Sequence, residues 1–166
     1  MKFQTYTSDT PQSQSITINL QIFSIMLNFK IEKRKISGIN NVGLFAKEKI
    51  LKNELIWKAT DDTVQRITFV EFKKLSEEEK KNWVDHCYQI DDYLQMDIDD
   101  TRFMNHSCEP NTVDLHQKDQ TVIVAGRDIQ KDEEITWNYL PFMNPYQEFK
   151  CNCGSEKCVG IIKKQE

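Results

Sequence analysis

The sequence lacks any apolar run near the ~18–20 residues of a membrane-spanning helix, so no membrane association is expected. With only 5 Gly and 4 Pro in 166 residues, fibrous and low-complexity classes are set aside. A positive net charge is also missing: 22 basic residues face 26 acidic ones, for a net charge of −4. Duplex DNA binders draw affinity from Lys and Arg on phosphates. Direct sequence-specific nucleic-acid binding is therefore not expected, and a basic protein or Lys-containing peptide is the better partner. The start of the chain has no strongly basic stretch followed by a small-residue cleavage site. With an odd count of 5 Cys, this argues against a secreted disulfide framework and for an intracellular protein, cytoplasmic or nuclear.

What is present is ordinary globular material, 39% hydrophobic and 29% charged. One domain is expected, long enough to bury roughly 70% of its unfolded surface. Residues 1–29 differ from the rest. Met1 to Ser15 is rich in Thr, Ser and Gln, and polar residues interrupt the stretch from Ile16 to Phe29. This reads as a poorly ordered arm, with Met26 as an alternative start.

After residue 30 the pattern is of short strands and charged turns. Val42 to Ala46, Glu54 to Trp57, Thr121 to Ala125 and Ile135 to Tyr139 read as strands. Thr112 to His116 is the expected partner of Thr121 to Ala125. Phe69 to Tyr88 reads as two short helices, with capping boxes at Thr68/Glu71 and Ser76/Glu79. Trp83, Val84, Cys87 and Tyr88 would share one helical face. Asp91 to Asp100 is acidic and reads as a solvated turn region or, alternatively, as a wall that attracts a cationic substrate. The fold class is mainly β.

Cys151-x-Cys153-x4-Cys158 supplies three closely spaced thiols, with Gly154 letting the chain turn between them. A structural zinc wants four tetrahedral ligands with Zn–S near ~2.3 Å. The fourth is sought among Cys87, Cys108 and a His. Cys108 sits in a turn-prone polar loop and is preferred. Cys87 reads as a packing thiol, and His106 and His116 are weaker alternatives. Taken alone, the Asn105-His106 pair and Tyr139 are ordinary structural features.

Four segments together change that reading: Val42-Gly43-Leu44-Phe45-Ala46, RFMNHSCEPNT (Arg102 to Thr112), AGRDIQKDEEITWNY (Ala125 to Tyr139) and CNCGSEKCVG (Cys151 to Gly160). In order and content they resemble the SET-domain protein-lysine N-methyltransferases that carry a post-SET zinc segment. The resemblance implies a SET domain over 30–142 and a zinc-bound post-SET tail over 143–166. The implied fold is a β-clip of small sheets with a short helical insert, in which the Asn105-His106 loop crosses the segment ending at Tyr139 as a pseudoknot. It implies S-adenosylmethionine as cofactor, held by Asn41, Val42, Gly43, Arg102, Phe103, Asn105, His106 and Tyr139. Tyr139 would be the catalytic tyrosine. Phe103, Trp137 and Phe142 would wall the substrate channel, and one structural zinc would bind Cys108, Cys151, Cys153 and Cys158.

The sequence departs from the family pattern in several places. Asn41 stands where a second Gly is usual, and Asn138 replaces an Asp. Trp137 stands where Phe or Tyr is common. Ile161 would be a small lid over the cofactor. The tyrosine usual after Ile56 is missing, with Tyr88 or Tyr93 as substitutes. That gap supports the rival expectation, a zinc-stapled binding module without activity. Methylation of something other than protein lysine is a third reading.

Overall fold

The computed structural model describes residues 27–36, 42–115 and 121–164. Three small sheets and a C-terminal hairpin carry nearly all the regular structure among these residues, so the chain is mainly β. In the first sheet, β1 (Ile31–Lys35) pairs antiparallel with β2 (Val42–Ala46), and β10 (Glu134–Trp137) pairs with the other edge of β2. Leu44 and Ile135 are direct cross-strand partners and both are fully buried. Removing such a side chain from water stabilises by about 1.5–3 kcal/mol. The short β7 (Asn105–His106) lies parallel to β10, with Asn105 opposite Thr136 and His106 opposite Trp137.

The second sheet has the order β3 (Leu55–Lys58), β9 (Val122–Ala125), β8 (Thr112–Asp114). It bears out the expected pairing of the two segments, while His116 lies outside the described residues. The third sheet has the order β4 (Val64–Thr68), β6 (Tyr93–Asp97), β5 (Tyr88–Ile90). Between β4 and β5 the chain inserts α1 (Phe69–Lys74) and α2 (Glu77–His86), and both expected capping boxes are formed. Phe72, Trp83, Cys87 and Leu94 pack the insert against this sheet.

Three expectations are corrected. Helix α2 stops at His86, so Cys87 is its cap and Tyr88 opens β5. Strand β10 ends at Trp137, two residues early. The Asn138 side chain accepts from the Leu140 N–H at 3.1 Å, and Tyr139 turns helical into a 3-10 segment that includes Pro141. The acidic stretch contains a strand, β6, because Leu94, Met96 and Ile90 give it apolar packing. Of the predicted arm, residues 1–26 lie outside the described residues. Leu27 bridges Trp57, and the buried Asn28 donates to Leu55 O at 2.6 Å.

The segment after β7 is stitched to β10 by side chains as well as backbone. Ser107 N–H donates to Trp137 O at 3.0 Å. The buried Asn111 donates to Glu134 O at 2.8 Å and accepts from Thr136 N–H at 2.9 Å. This crossing places Asn105, His106 and Tyr139 side by side.

Candidate active site

Tyr139 stands where the crossing meets the tail. Its ring lies 5.6 Å from Trp137, 5.3 Å from His106 and 6.3 Å from Phe149, centroid to centroid. Its hydroxyl donates to the main-chain oxygen of Met104. Burial, reinforced by the negative charges of Asp97 and Glu134, holds the phenol above its ordinary range, so it stays protonated. A cavity of about 140 Å³ opens beside it. Trp137, Tyr139, Met104 and Phe149 give it apolar walls, and Tyr88, Asp97 and Arg102 add polar ones.

The residues read from the sequence fall into three groups. Trp137, Tyr139 and Arg102 line this cavity. Phe142 lies behind it, stacked on Trp137 at 4.8 Å, and lines a neighbouring hollow with Leu140 and Pro141. Phe103 is packed beneath a cation instead, with Lys33 Nζ 4.5 Å from its ring centre. The remaining group gathers at the crossing. Asn105 Nδ2 donates to Val42 O at 3.0 Å and to Glu134 Oε1 at 2.7 Å. The fit at Gly43 is close: a Cβ would lie 2.5 Å from Glu134 Oε1 and 3.1 Å from Asn105 Nδ2, so both side chains would have to shift. Asn41 lies outside the described residues.

The thiols converge as well. One potential ligand atom from each of His106, Cys108, Cys151 and Cys153 lies within 4.8 Å of the others. Cys108 and Cys151 Sγ are 3.9 Å apart. Cys158 Sγ lies 3.8 Å from the main-chain oxygen of Cys151 and packs in the same cluster. Gly154 and Gly160 take positive φ of 75° and 76°, the backbone turn that folds the thiols together. Main-chain N–H groups at Cys108 and Ser155 bring the Cys153 thiol down to about 6. Cys87 lies apart from this group, and burial pushes its thiol up to about 12.

The role of His106 follows from its hydrogen bonds. Tyr139 N–H donates to Nδ1 at 3.1 Å, so Nδ1 is an acceptor. Burial lowers the imidazole's affinity for a second proton. A neutral ring has one lone pair, and Nδ1 uses it. Nε2 therefore carries the proton, 3.2 Å from Cys108 Sγ, and acts toward that sulfur as a donor.

Sequence reasoning missed several residues. Phe149, not Ile161, carries the tail's aromatic surface into the cavity; Ile161 is exposed in β12 (Ile161–Lys163), which pairs with β11 (Glu148–Lys150). Asn144, fully buried, ties the tail to the helical insert by donating to Cys87 O at 2.9 Å. Trp57, at the place of the missing tyrosine, is fully buried and donates to Asp99 Oδ2 at 3.0 Å. Tyr88 reaches the cavity, whereas Tyr93 is exposed.

A family model for the SET domain matches residues 41–140. The chain belongs to the SET-domain family. Among relatives of this SET domain, the H3 lysine-4 specific histone-lysine N-methyltransferase of Schizosaccharomyces pombe is 29% identical over 140 residues, 76% of this chain and 14% of that protein. The variant-silencing SET domain-containing protein of Plasmodium falciparum is 31% identical over 163 residues, 86% of this chain and 6% of that one. Histone-lysine N-methyltransferase 2B of Homo sapiens is 28% identical over 131 residues, 74% of this chain and 5% of that one. The chain thus spans 5–14% of the length of these relatives. A solved Plasmodium falciparum chain, 27% identical, aligns with 66% of this chain and 92% of its own at a TM-score of 0.49.

Proposed function

We propose that this SET domain is an S-adenosylmethionine-dependent protein-lysine N-methyltransferase acting on a basic protein, with histones the first class to test. The observation that carries this reading is the buried Tyr139 hydroxyl, fixed to Met104 O in an aromatic-walled cavity beside the crossing of β7 and β10. Relatives named as histone-lysine N-methyltransferases support it. The binding-module reading leaned on a missing tyrosine, and Tyr88 supplies a phenol at the cavity wall.

S-adenosylmethionine, when bound, supplies a methyl group on a positively charged sulfur. Val42, Gly43, Asn105 and His106 at the crossing, with Arg102 and Tyr139 at the cavity, are the residues that would hold it. Phe103 faces Lys33 and is a weaker candidate. The chain's own task is to present a neutral lysine amine. A free Lys, with pKa ~10.4, pays about 4–5 kcal/mol to be neutral at pH 7. Apolar walls such as Trp137 disfavour the ammonium and exclude water. The tethered Tyr139 hydroxyl keeps its lone pairs free to orient the amine. In-line positioning of this kind is worth up to about 7–11 kcal/mol.

For the metal, the donor set fits a zinc site. Cys108, Cys151 and Cys153 would supply three ligands, and Cys158 would supply the fourth in place of His106, whose lone pair is turned away and whose Nε2 faces Cys108 as a donor. A closed four-thiolate zinc is structural. Among the described residues no helix is long and apolar enough to cross a membrane.

The test is incubation with methyl-labelled cofactor and a panel of histones and other basic proteins, followed by mass spectrometry. Label on a Lys side chain supports the proposal. Zinc-loaded protein that labels no Lys in any of them contradicts it.

A further inference from the structure

Part of the cavity wall is polar where apolar residues would have sufficed. Tyr88 on β5 and Asp97 on β6 reach the cavity together. They end a directional chain of hydrogen bonds. Arg66 Nε donates to Gln95 Oε1 at 2.7 Å, Gln95 Nε2 donates to Tyr88 Oη at 2.5 Å, and Tyr88 Oη donates to Asp97 Oδ1 at 2.6 Å. Every donor points toward Asp97, which closes the chain as an acceptor. Gln95 is fully buried, so the chain fixes both side chains.

A carboxylate has about four acceptor positions, and Tyr88 fills one. Thr101 lines the same cavity, is 4% exposed, and its Oγ1 has no hydrogen-bond partner among the described residues. Buried polar atoms in folded proteins are normally paired, and an orphan hydroxyl calls for an explanation. An acceptor-rich carboxylate and an unpaired hydroxyl in one small cavity with aromatic walls fit a compact group carrying several N–H donors and a positive charge. A primary ammonium has three such donors.

We propose that Asp97, oriented by Tyr88 and sharing its cavity with Thr101, receives the ammonium of the substrate lysine and accepts one of its protons. This rests on the methyltransferase reading and names how that site selects its substrate. One N–H bond of the ammonium breaks, and its electron pair stays on nitrogen as the nucleophilic lone pair. The proton forms an O–H bond on Asp97 and is lost to solvent once product leaves. Burial, aided by the charge of Asp99, raises the Asp97 carboxyl to about 7. A proton acceptor works best with an affinity near the working pH. The titratable groups around it are Tyr88 on β5, Asp99 beyond β6 and Tyr139 after β10, with Asp85, His86 and Arg102 on the cavity wall.

The experiment uses the zinc-loaded 166-residue chain and its Asp97→Asn and Thr101→Val variants. kcat/KM is measured from pH 6 to 10 on the lysine protein that labels best. Butylammonium chloride is titrated separately while the Asp97 carboxyl is followed by carbon NMR. In wild type, kcat/KM should rise with a midpoint near 7. Asp97→Asn should lose more than tenfold at pH 7.5 and regain much of it toward pH 10, a rescue that mere misfolding would not show. Thr101→Val should raise the KM severalfold while raising the Tm of the free protein, since it removes the unpaired hydroxyl. Butylammonium should lower the Asp97 midpoint in wild type. An unchanged pH profile in a folded Asp97→Asn variant overturns the proposal, as does a carboxyl midpoint indifferent to butylammonium. If no protein is methylated but butylammonium still shifts Asp97, the amine site stands and the methyltransferase reading falls.

Discussion

Tyr139 is held from two sides by regions built on different chemistry. On one side, the crossing of β7 and β10 rests on backbone pairing, the Asn111 bridge and the buried Leu44–Ile135 pair. On the other, the tail around β11 and β12 buries only a small cluster, Met143, Cys151 and Ile162, with further thiols packed against it. The crossing has enough apolar surface and paired polar groups to hold itself. The tail does not, and under the proposed zinc site a metal bound by its thiols would stand in for a core. The same cavity would then have one wall set by folding and one wall, with Phe149, set by metal.

The largest effect that would break this contrast is metal removal. A strong chelator should strip hydrogen-exchange protection from the amides of Glu148–Lys150 and Ile161–Lys163 while leaving Val42–Ala46 and Glu134–Trp137 protected. Loss of protection in both regions, or in neither, would erase the distinction.

The next effect probes the crossing. Asn111→Ala leaves Thr136 N–H and Glu134 C=O without their side-chain partner. Each unmade buried hydrogen bond costs about 1–3 kcal/mol. Denaturant unfolding should show a loss of roughly 2–4 kcal/mol, with zinc stoichiometry still one per chain.

A more local effect is expected at the cavity wall. Asp97 has its folded pKa raised from the ordinary 3.8 to about 7. The folded state therefore holds the proton more tightly than the unfolded one. That contribution to stability is complete below pH ~4 and is lost as pH rises to about 7. Asp97→Asn cannot titrate, so its stability relative to wild type should improve by about 4 kcal/mol between pH 4 and 7 and then stay level. Parallel stability curves for the two proteins would contradict the buried-carboxylate account.

The same contrast governs what the sequence could reveal. Both helix caps were legible because Thr68/Glu71 and Ser76/Glu79 are local four-residue signals. The β8–β9 pairing was legible from one strongly apolar strand and a nearby partner. The thiol cluster was legible because three of its members fall within eight residues. Strand β6 was hidden, since its acidic residues read as solvated while Asp97 is buried against Tyr88. The parallel pairing of Asn105 with Thr136 spans about thirty residues and leaves no local trace. It was anticipated only through the resemblance of whole motifs. Phe149 and Asn144 were missed because neither stands in a periodic pattern, and their roles appear only when the tail folds back on α2 and Tyr139.

The most direct test of the central claim is the methyl-transfer rate of Tyr139→Phe against wild type, with cofactor affinity, zinc content and Tm measured on the same samples. The account predicts a rate below about a tenth of wild type, a deficit above ~1.4 kcal/mol in the barrier, with the other three nearly unchanged. A folded, zinc-loaded Phe variant that keeps more than a tenth of the rate would contradict it.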